Sequence, residues 1–303
     1  MMHVGIFTGY YPYGLEETAK KIQAQGMTTV QLDLTFKDMD LSTEGITREK
    51  CRAIRNVFRD HNLPICCVSG YTNIVHPDKA ERKKRLDHLK TIIRHARDLG
   101  SPYVISETGT FATDSDWVSH PKNKTEEGFH DCAAVIRELV QVAYDHGATF
   151  LLETYVNNVV GSVNETLRMF SAINHSSLGL LMDPTNYFEA HNIGDMKGEL
   201  DRVFNALSDK IKIAHAKDVK LAGDNKSEKH AELFEGAAES HTFRGVGQIE
   251  LPAAGLGALD YDHYLKRLAE HHSNIPVIIE HLDEADVPRA KKFIDDKLRA
   301  HGL

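Results

Sequence analysis

Phe150-Leu151-Leu152-Glu153, Leu178-Gly179-Leu180-Leu181-Met182-Asp183, Ile211-Lys212-Ile213-Ala214-His215 and Pro276-Val277-Ile278-Ile279-Glu280 are four short apolar runs, each closed by a side chain able to ligate a metal. A continuous apolar run of this length, bounded by polar or turn residues, reads as a strand buried on both faces, as in parallel sheets. Where such strands close into a barrel, their C-terminal ends open onto one face. The four closing residues would then converge on one point.

Working outward, strand candidates at about 3 to 7, 28 to 34, 64 to 68 and 102 to 106 join those at 148 to 153, 178 to 183, 211 to 216 and 276 to 280. Amphipathic stretches lie between them, at 15 to 25, 47 to 61, 80 to 99, 126 to 146, 163 to 173, 196 to 207, 260 to 271 and 285 to 300. In the third, Leu86, Leu89, Ile93, Ala96 and Leu99 recur at helical spacing. Charged residues fill its other face, so the run from Arg82 to Arg85 is expected to be solvated. Gly26, Gly100 and Gly147 stand where helices tend to close. Eight strands alternating with eight helices is the arithmetic of an α/β protein with a (β/α)8 TIM barrel. At 303 residues the chain is expected to be a single domain, 1–303, since barrels of this size are commonly one unit. Two connections, 107 to 125 and 218 to 258, are unusually long. Each follows a strand, so each is a candidate lid on the face where barrel sites are built.

Composition narrows the partners. Hydrophobic residues at 41% and charged residues at 26% are those of a globular protein. A formal charge of −8 argues against nucleic acid, whose phosphates are met by basic surface. No apolar run approaches the roughly 20 residues that span a bilayer, so no membrane partner is expected. Cys51, Cys66, Cys67 and Cys132 show no C-x-x-C spacing, and the opening Met1-Met2-His3-Val4-Gly5-Ile6-Phe7 lacks the pattern of a signal peptide; both suit a reduced, cytoplasmic setting.

Glu153, Asp183, His215 and Glu280 form an oxygen and nitrogen donor set without thiolate. That set suits one divalent ion, Mn²⁺ first and Mg²⁺, Co²⁺ or Zn²⁺ after it, with coordination positions left for substrate or water. One acidic residue at a strand end is often a helix cap or an ion-pair partner, but capping alone does not account for four on consecutive strands. If adjacent oxygens of a hydroxy-ketone chelate the ion, the neighbouring C–H becomes acidic enough for a carboxylate to take its proton, giving an enediolate. Return of a proton to the opposite face epimerises the sugar, return to the neighbouring carbon isomerises it, and loss of a hydroxyl makes the site a dehydratase or lyase.

Leu152-Glu153, Met182-Asp183-Pro184-Thr185-Asn186, His215-Ala216-Lys217-Asp218 and Ile279-Glu280-His281, with Ser69-Gly70-Tyr71-Thr72-Asn73 and His76-Pro77-Asp78, resemble the xylose-isomerase-like barrels, within them the sugar phosphate isomerase/epimerase group that includes ketose 3-epimerases and inosose dehydratases. The resemblance covers nearly the whole chain. It implies a divalent ion at Glu153, Asp183, His215 and Glu280, with Glu153 and Glu280 also the catalytic proton-transfer pair, and a small carbohydrate, a keto-sugar or polyol, as substrate. It also implies a chain able to form a homo-oligomer. The ketose 3-epimerases carry a substrate-binding His where Asn186 stands and an Arg where Leu221 stands, so the pattern departs from theirs at two positions. The His-x-Lys-Asp form is closer to the dehydratase-like branch, with an inosose or 3-keto-glycoside as the alternative substrate and Lys217 near its oxygens. Asn186, Lys217, Asp218, Arg244, Glu107, Tyr10 and His76 are the expected substrate contacts, several of them also readable as structural: Lys217 with Asp218 as an exposed ion pair, Tyr10, Tyr11 and Tyr13 as packing, Glu107 and Asp33 as strand-end carboxylates. His281, beside Glu280, reads as a hydrogen-bond partner or a substrate contact. An abasic-site endonuclease on the same barrel would need a three-metal cluster with a His at the Asn186 position, and a non-catalytic sugar-binding barrel is the remaining reading.

Overall fold

The lumen of the barrel is filled by one side chain from each of six strands: Cys67, Ile105, Leu151, Leu181, Ile213 and Ile278. In the computed structural model they belong to β3 (Ile65–Ser69), β4 (Tyr103–Glu107), β5 (Thr149–Glu153), β6 (Leu178–Met182), β7 (Ile211–Ala216) and β11 (Pro276–Ile279). With β1 (His3–Phe7) and β2 (Thr29–Leu32) these close into a barrel of eight parallel strands, in the order β1-β11-β7-β6-β5-β4-β3-β2. The structure describes residues 2–222 and 249–303, and the backbone alone of 242–244.

Side chains along a strand alternate between faces, so the residue two positions beyond a lumen side chain points the same way. Leu151 is followed at that distance by Glu153, Leu181 by Asp183, Ile213 by His215, Ile278 by Glu280 and Ile105 by Glu107. The packed layer that closes the barrel thus sets the direction of the polar layer above it.

Eight helices surround the strands: α1 (Leu15–Ala24), α2 (Arg48–Asp60), α3 (Lys79–His95), α4 (Glu126–Asp145), α5 (Val163–Ile173), α6 (Met196–Leu207), α7 (Tyr261–His271) and α8 (Val287–His301). Helices α2 to α7 each start on a side-chain cap; in α3, Asp78 accepts from the backbone N–H of Ala80 and Glu81 at 2.8 and 3.0 Å. Helix α3 ends at His95 rather than at 99, because the chain tightens into a turn in which Gly100 adopts φ +89°.

The arginines of the run from Arg82 to Arg85 differ from expectation. Arg82 donates to both oxygens of Asp131 and to the carbonyls of Val75 and His76, and Arg85 pairs with Glu81 and Asp116. Lys83 and Lys84 keep the solvated positions. These arginines hold the loops after β3 and β4, so the first long connection is tied down: Asn73 also donates to the carbonyl of Thr110, and Asn157 to that of Trp117. The second long connection contains a small antiparallel sheet that periodicity did not indicate, β8 (Lys220–Leu221), β10 (Ile249–Pro252) and β9 (Thr242–Arg244) in that order.

Leu151 has no exposed surface and lies one alternation below Glu153. Leu151→Ala is expected to cost about 2–5 kcal/mol, read from chemical denaturation, because a closed lumen cannot collapse around the lost volume.

Candidate metal centre

Glu153, Asp183 and His215 leave their three neighbouring strand ends toward the barrel axis, and one donor atom from each lies within 4.8 Å of the other two. The Nδ1 of His215 is 3.3 Å from Asp183 Oδ2, 3.6 Å from Glu153 Oε1 and 3.2 Å from Oε2 of Glu280, which follows β11. All four side chains are buried. Lys217 Nζ approaches Asp183 Oδ2 at 2.6 Å, and Glu107, half-buried at the end of β4, stands within the electrostatic reach of the group. Four carboxyl groups therefore share a water-poor space with two cationic side chains.

The protonation behaviour follows from that imbalance. Burial pushes the Glu280 carboxyl up, His215 and Lys217 pull it down, Glu153 pushes it up again, and it comes to about 7. Burial would lower His215, but Glu280, Glu153 and Asp183 outweigh it and raise the imidazole to about 10. Burial would likewise raise Asp183, yet Lys217 and His215 hold it well below the usual carboxylate range. Glu107 is pushed well up, by desolvation first and then by Glu153. Protons and an ammonium group thus offset charge that a divalent cation would offset more fully, and the donor set suits such an ion.

Surrounding groups fix these side chains. Asp183 Oδ1 accepts from both the backbone N–H and the hydroxyl of Thr185, each at 2.8 Å. Glu153 accepts from Asn186 Nδ2 at 2.8 Å and from the Tyr71 hydroxyl at 2.5 Å. The Tyr264 hydroxyl on α7 donates to the His215 carbonyl and that of Tyr261 to the Lys217 carbonyl, both at 2.8 Å, which pins the end of β7. Gln31, on β2, places Oε1 2.9 Å from His215 Nε2. Gln31, Tyr261 and Tyr264 were not singled out from the sequence. The available signal for Gln31 was a lone amide inside the apolar strand Thr29-Val30-Gln31-Leu32.

The other expected contacts divide. Asn186 and Lys217 belong to the centre, and Glu107 faces it. The Asn186 Oδ1 is buried without a hydrogen-bond donor among the described residues, a free acceptor beside Glu153 that a hydroxyl or water can satisfy. The exposed Lys217–Asp218 pair is corrected: both side chains are buried, and Lys217 pairs with Asp183 instead. The Asp218 carboxylate accepts from the backbone N–H groups of Val219, Leu259 and Gly255 at 2.8 to 2.9 Å, so it holds its loop and has little capacity left for a ligand. Tyr10 accepts the His281 N–H at 2.7 Å and thereby supports the backbone after Glu280, where His281 takes φ +60°. His76 Nδ1 accepts from Asp78 N–H in the turn before α3. Arg244 ends β9, and its side chain lies outside the described residues. Leu221, on β8, is exposed.

The chain belongs to the Xylose isomerase-like TIM barrel family, whose sequence profile matches residues 19–297. A search among curated proteins gives no match. Among solved structures the chain is similar to a D-tagatose 3-epimerase-like protein (TM-score 0.71, 16% identity, covering 99% of this chain and 98% of that one). It is similar to the IolI protein with a binding zinc atom (TM-score 0.67, 16% identity, 98% of each chain). It is also similar to the probable 3-DHS dehydratase AsbF from Bacillus anthracis (TM-score 0.67, 14% identity, 97% of this chain and 99% of that one). Identity this low carries the fold alone. Among the described residues, no helix is long and apolar enough to cross a membrane.

Because Glu280 comes to about 7 and His215 to about 10 in the metal-free protein, both hold protons near neutrality that an entering cation must displace. Mn²⁺ binding is therefore expected to release protons at neutral pH and to tighten as pH rises through 7. Calorimetry in buffers of different ionisation enthalpy measures the release directly.

Proposed function

We propose that the protein is a divalent-metal-dependent isomerase or epimerase of a small keto-sugar or polyol, with Mn²⁺ as the ion and Glu153, Asp183, His215 and Glu280 as its ligands. The observation that carries this reading is the convergence of three carboxylates on one nitrogen of the His215 ring, Nδ1, with two of them, Glu153 and Glu280, on opposite flanks of it in strand order. A divalent ion held there would polarise a substrate carbonyl and acidify the adjacent C–H.

The residues supply the rest. One glutamate takes the proton from the carbon and the other delivers a proton to the opposite face or to the neighbouring carbon. Glu280, raised to about 7, can both accept and give a proton near neutrality. Tyr71 and Asn186 keep both oxygens of Glu153 hydrogen-bonded, which fixes its orientation toward substrate. The unpaired Asn186 Oδ1 offers an acceptor for a sugar hydroxyl.

A dehydratase or lyase is the second reading, favoured by Lys217. A buried ammonium beside Asp183, with the raised carboxyl of Glu107 facing the same space, supplies proton donors that can assist a departing hydroxyl. Product mass separates the two, since elimination loses water and epimerisation conserves mass.

With Mn²⁺ and a panel of ketoses in D₂O, the protein is expected to incorporate deuterium at the carbon next to the carbonyl, and chelation is expected to abolish it. Glu153→Gln and Glu280→Gln should each lower exchange by about 10²–10⁴-fold. A metal-loaded protein that exchanges none of the panel would refute the isomerase reading. Asn186→Ala is expected to raise KM more than it lowers kcat if its amide oxygen serves binding, which steady-state kinetics on the same ketose measures.

A further inference from the structure

We infer that Gln31 is the positioning residue of the centre: one buried amide selects which His215 nitrogen faces the carboxylates and aligns two of the glutamate ligands. The inference rests on the metal-dependent reading above. Gln31 has no exposed surface and sits on β2 where the register to β3 shifts, so that Gln31 lies opposite Cys67 and Cys66 is bypassed. Its Oε1 lies 2.9 Å from His215 Nε2, with the Cys67 thiol 3.7 Å away. Its Nε2 donates toward Ser69 Oγ at 3.2 Å, the Tyr71 hydroxyl at 3.3 Å and Glu280 Oε1 at 3.4 Å.

An amide oxygen only accepts and an amide nitrogen only donates. Turned over, the amide would set its oxygen against Glu280 Oε1, a carboxylate whenever Glu280 holds a cation, and would withdraw the N–H groups that face it. The network therefore admits one orientation, and that orientation keeps a hydrogen on Nε2. The lone pair available to a cation is then on Nδ1, the nitrogen 3.2 to 3.6 Å from Glu280, Asp183 and Glu153. The other end of the amide reaches Glu280 directly. It reaches Glu153 through Tyr71, which accepts from Gln31 and passes its own hydrogen to Glu153 Oε2.

If Gln31 only filled the lumen, Met, of similar length and without polar atoms, would replace it at little cost or with a gain in stability. The test uses the full chain stripped of metal, Mn²⁺ calorimetry, thermal unfolding, and ¹⁵N NMR of the Zn²⁺-loaded histidine rings. In the unsubstituted protein the His215 ring is expected to carry its hydrogen on Nε2 and the ion on Nδ1. Gln31→Met is expected to weaken Mn²⁺ binding by about 10–100-fold and to lose the single ring form. Gln31→Glu, which restores the acceptor for Nε2–H, is expected to recover that ring form. Zn²⁺ on Nε2 in the unsubstituted protein overturns the inference without any variant, as does a folded Gln31→Met that binds Mn²⁺ as tightly as its parent. An unsubstituted chain that binds neither ion overturns the metal-dependent function as well, which separates the two failures.

Discussion

Like charge held together inside a low-dielectric barrel mouth is the constraint on which the rest of this structure depends. Glu153, Asp183 and Glu280 all turn toward one imidazole, and Glu107 adds a fourth carboxyl nearby. Left to themselves these groups would separate or draw in water, because burying an unpaired carboxylate costs several kcal/mol. The surrounding residues counter that tendency bond by bond: Thr185 on Asp183, Asn186 and Tyr71 on Glu153, Gln31 on His215 and Glu280. A centre assembled this way is a cost to folding, and the scaffold must offset it elsewhere.

The lumen layer is where it does so. Leu151, Leu181, Ile213 and Ile278 are completely or almost completely buried, and each stands one alternation below a residue of the polar cluster. Apolar burial at about 25 cal/mol per Å² stabilises the closed barrel, and the same side chains fix the rotation of their four strands about their axes. Packing and the polar cluster are thus one geometric fact: a strand slipped by one residue would turn its clustered side chain outward and its outer face into the lumen. Tyr264 and Tyr261 extend that control to the end of β7, where the carbonyls of His215 and of Lys217 just beyond the strand accept from hydroxyls of α7.

This coupling explains what was legible in the sequence. Strand runs and helix stripes are local patterns, so each of the eight strands and each helix could be read from its own residues, and the convergence of Glu153, Asp183, His215 and Glu280 could be read because they stand at the ends of those runs. The exposed ion pair read for Asp218 failed because its carboxylate is taken up by the N–H groups of Val219, Leu259 and Gly255, two of which lie far along the chain. Arg82 and Arg85 looked like a solvated helix face because their acidic partners Asp131 and Asp116 come from other elements. Gln31 carried a faint signal, one amide among apolar neighbours, whose meaning appears only when β2 and β7 are seen across the lumen from each other. Residues that end a strand announce themselves; residues that answer another strand do not.

The backbone beyond Glu280 shows how far the fold goes to keep this arrangement. His281 adopts φ +60°, a left-handed conformation that costs a non-glycine residue on the order of 1 kcal/mol. Its N–H is met by the Tyr10 hydroxyl and its Nδ1 lies 3.0 Å from the Leu251 carbonyl, so a residue of the first loop and a strand of the small sheet both hold it. An ordinary extended residue there would carry the chain on in the direction of β11 and away from those partners. The strain is retained because it turns the chain directly after Glu280, which leaves that carboxylate at the barrel mouth while tying the second long connection to the strand that bears it.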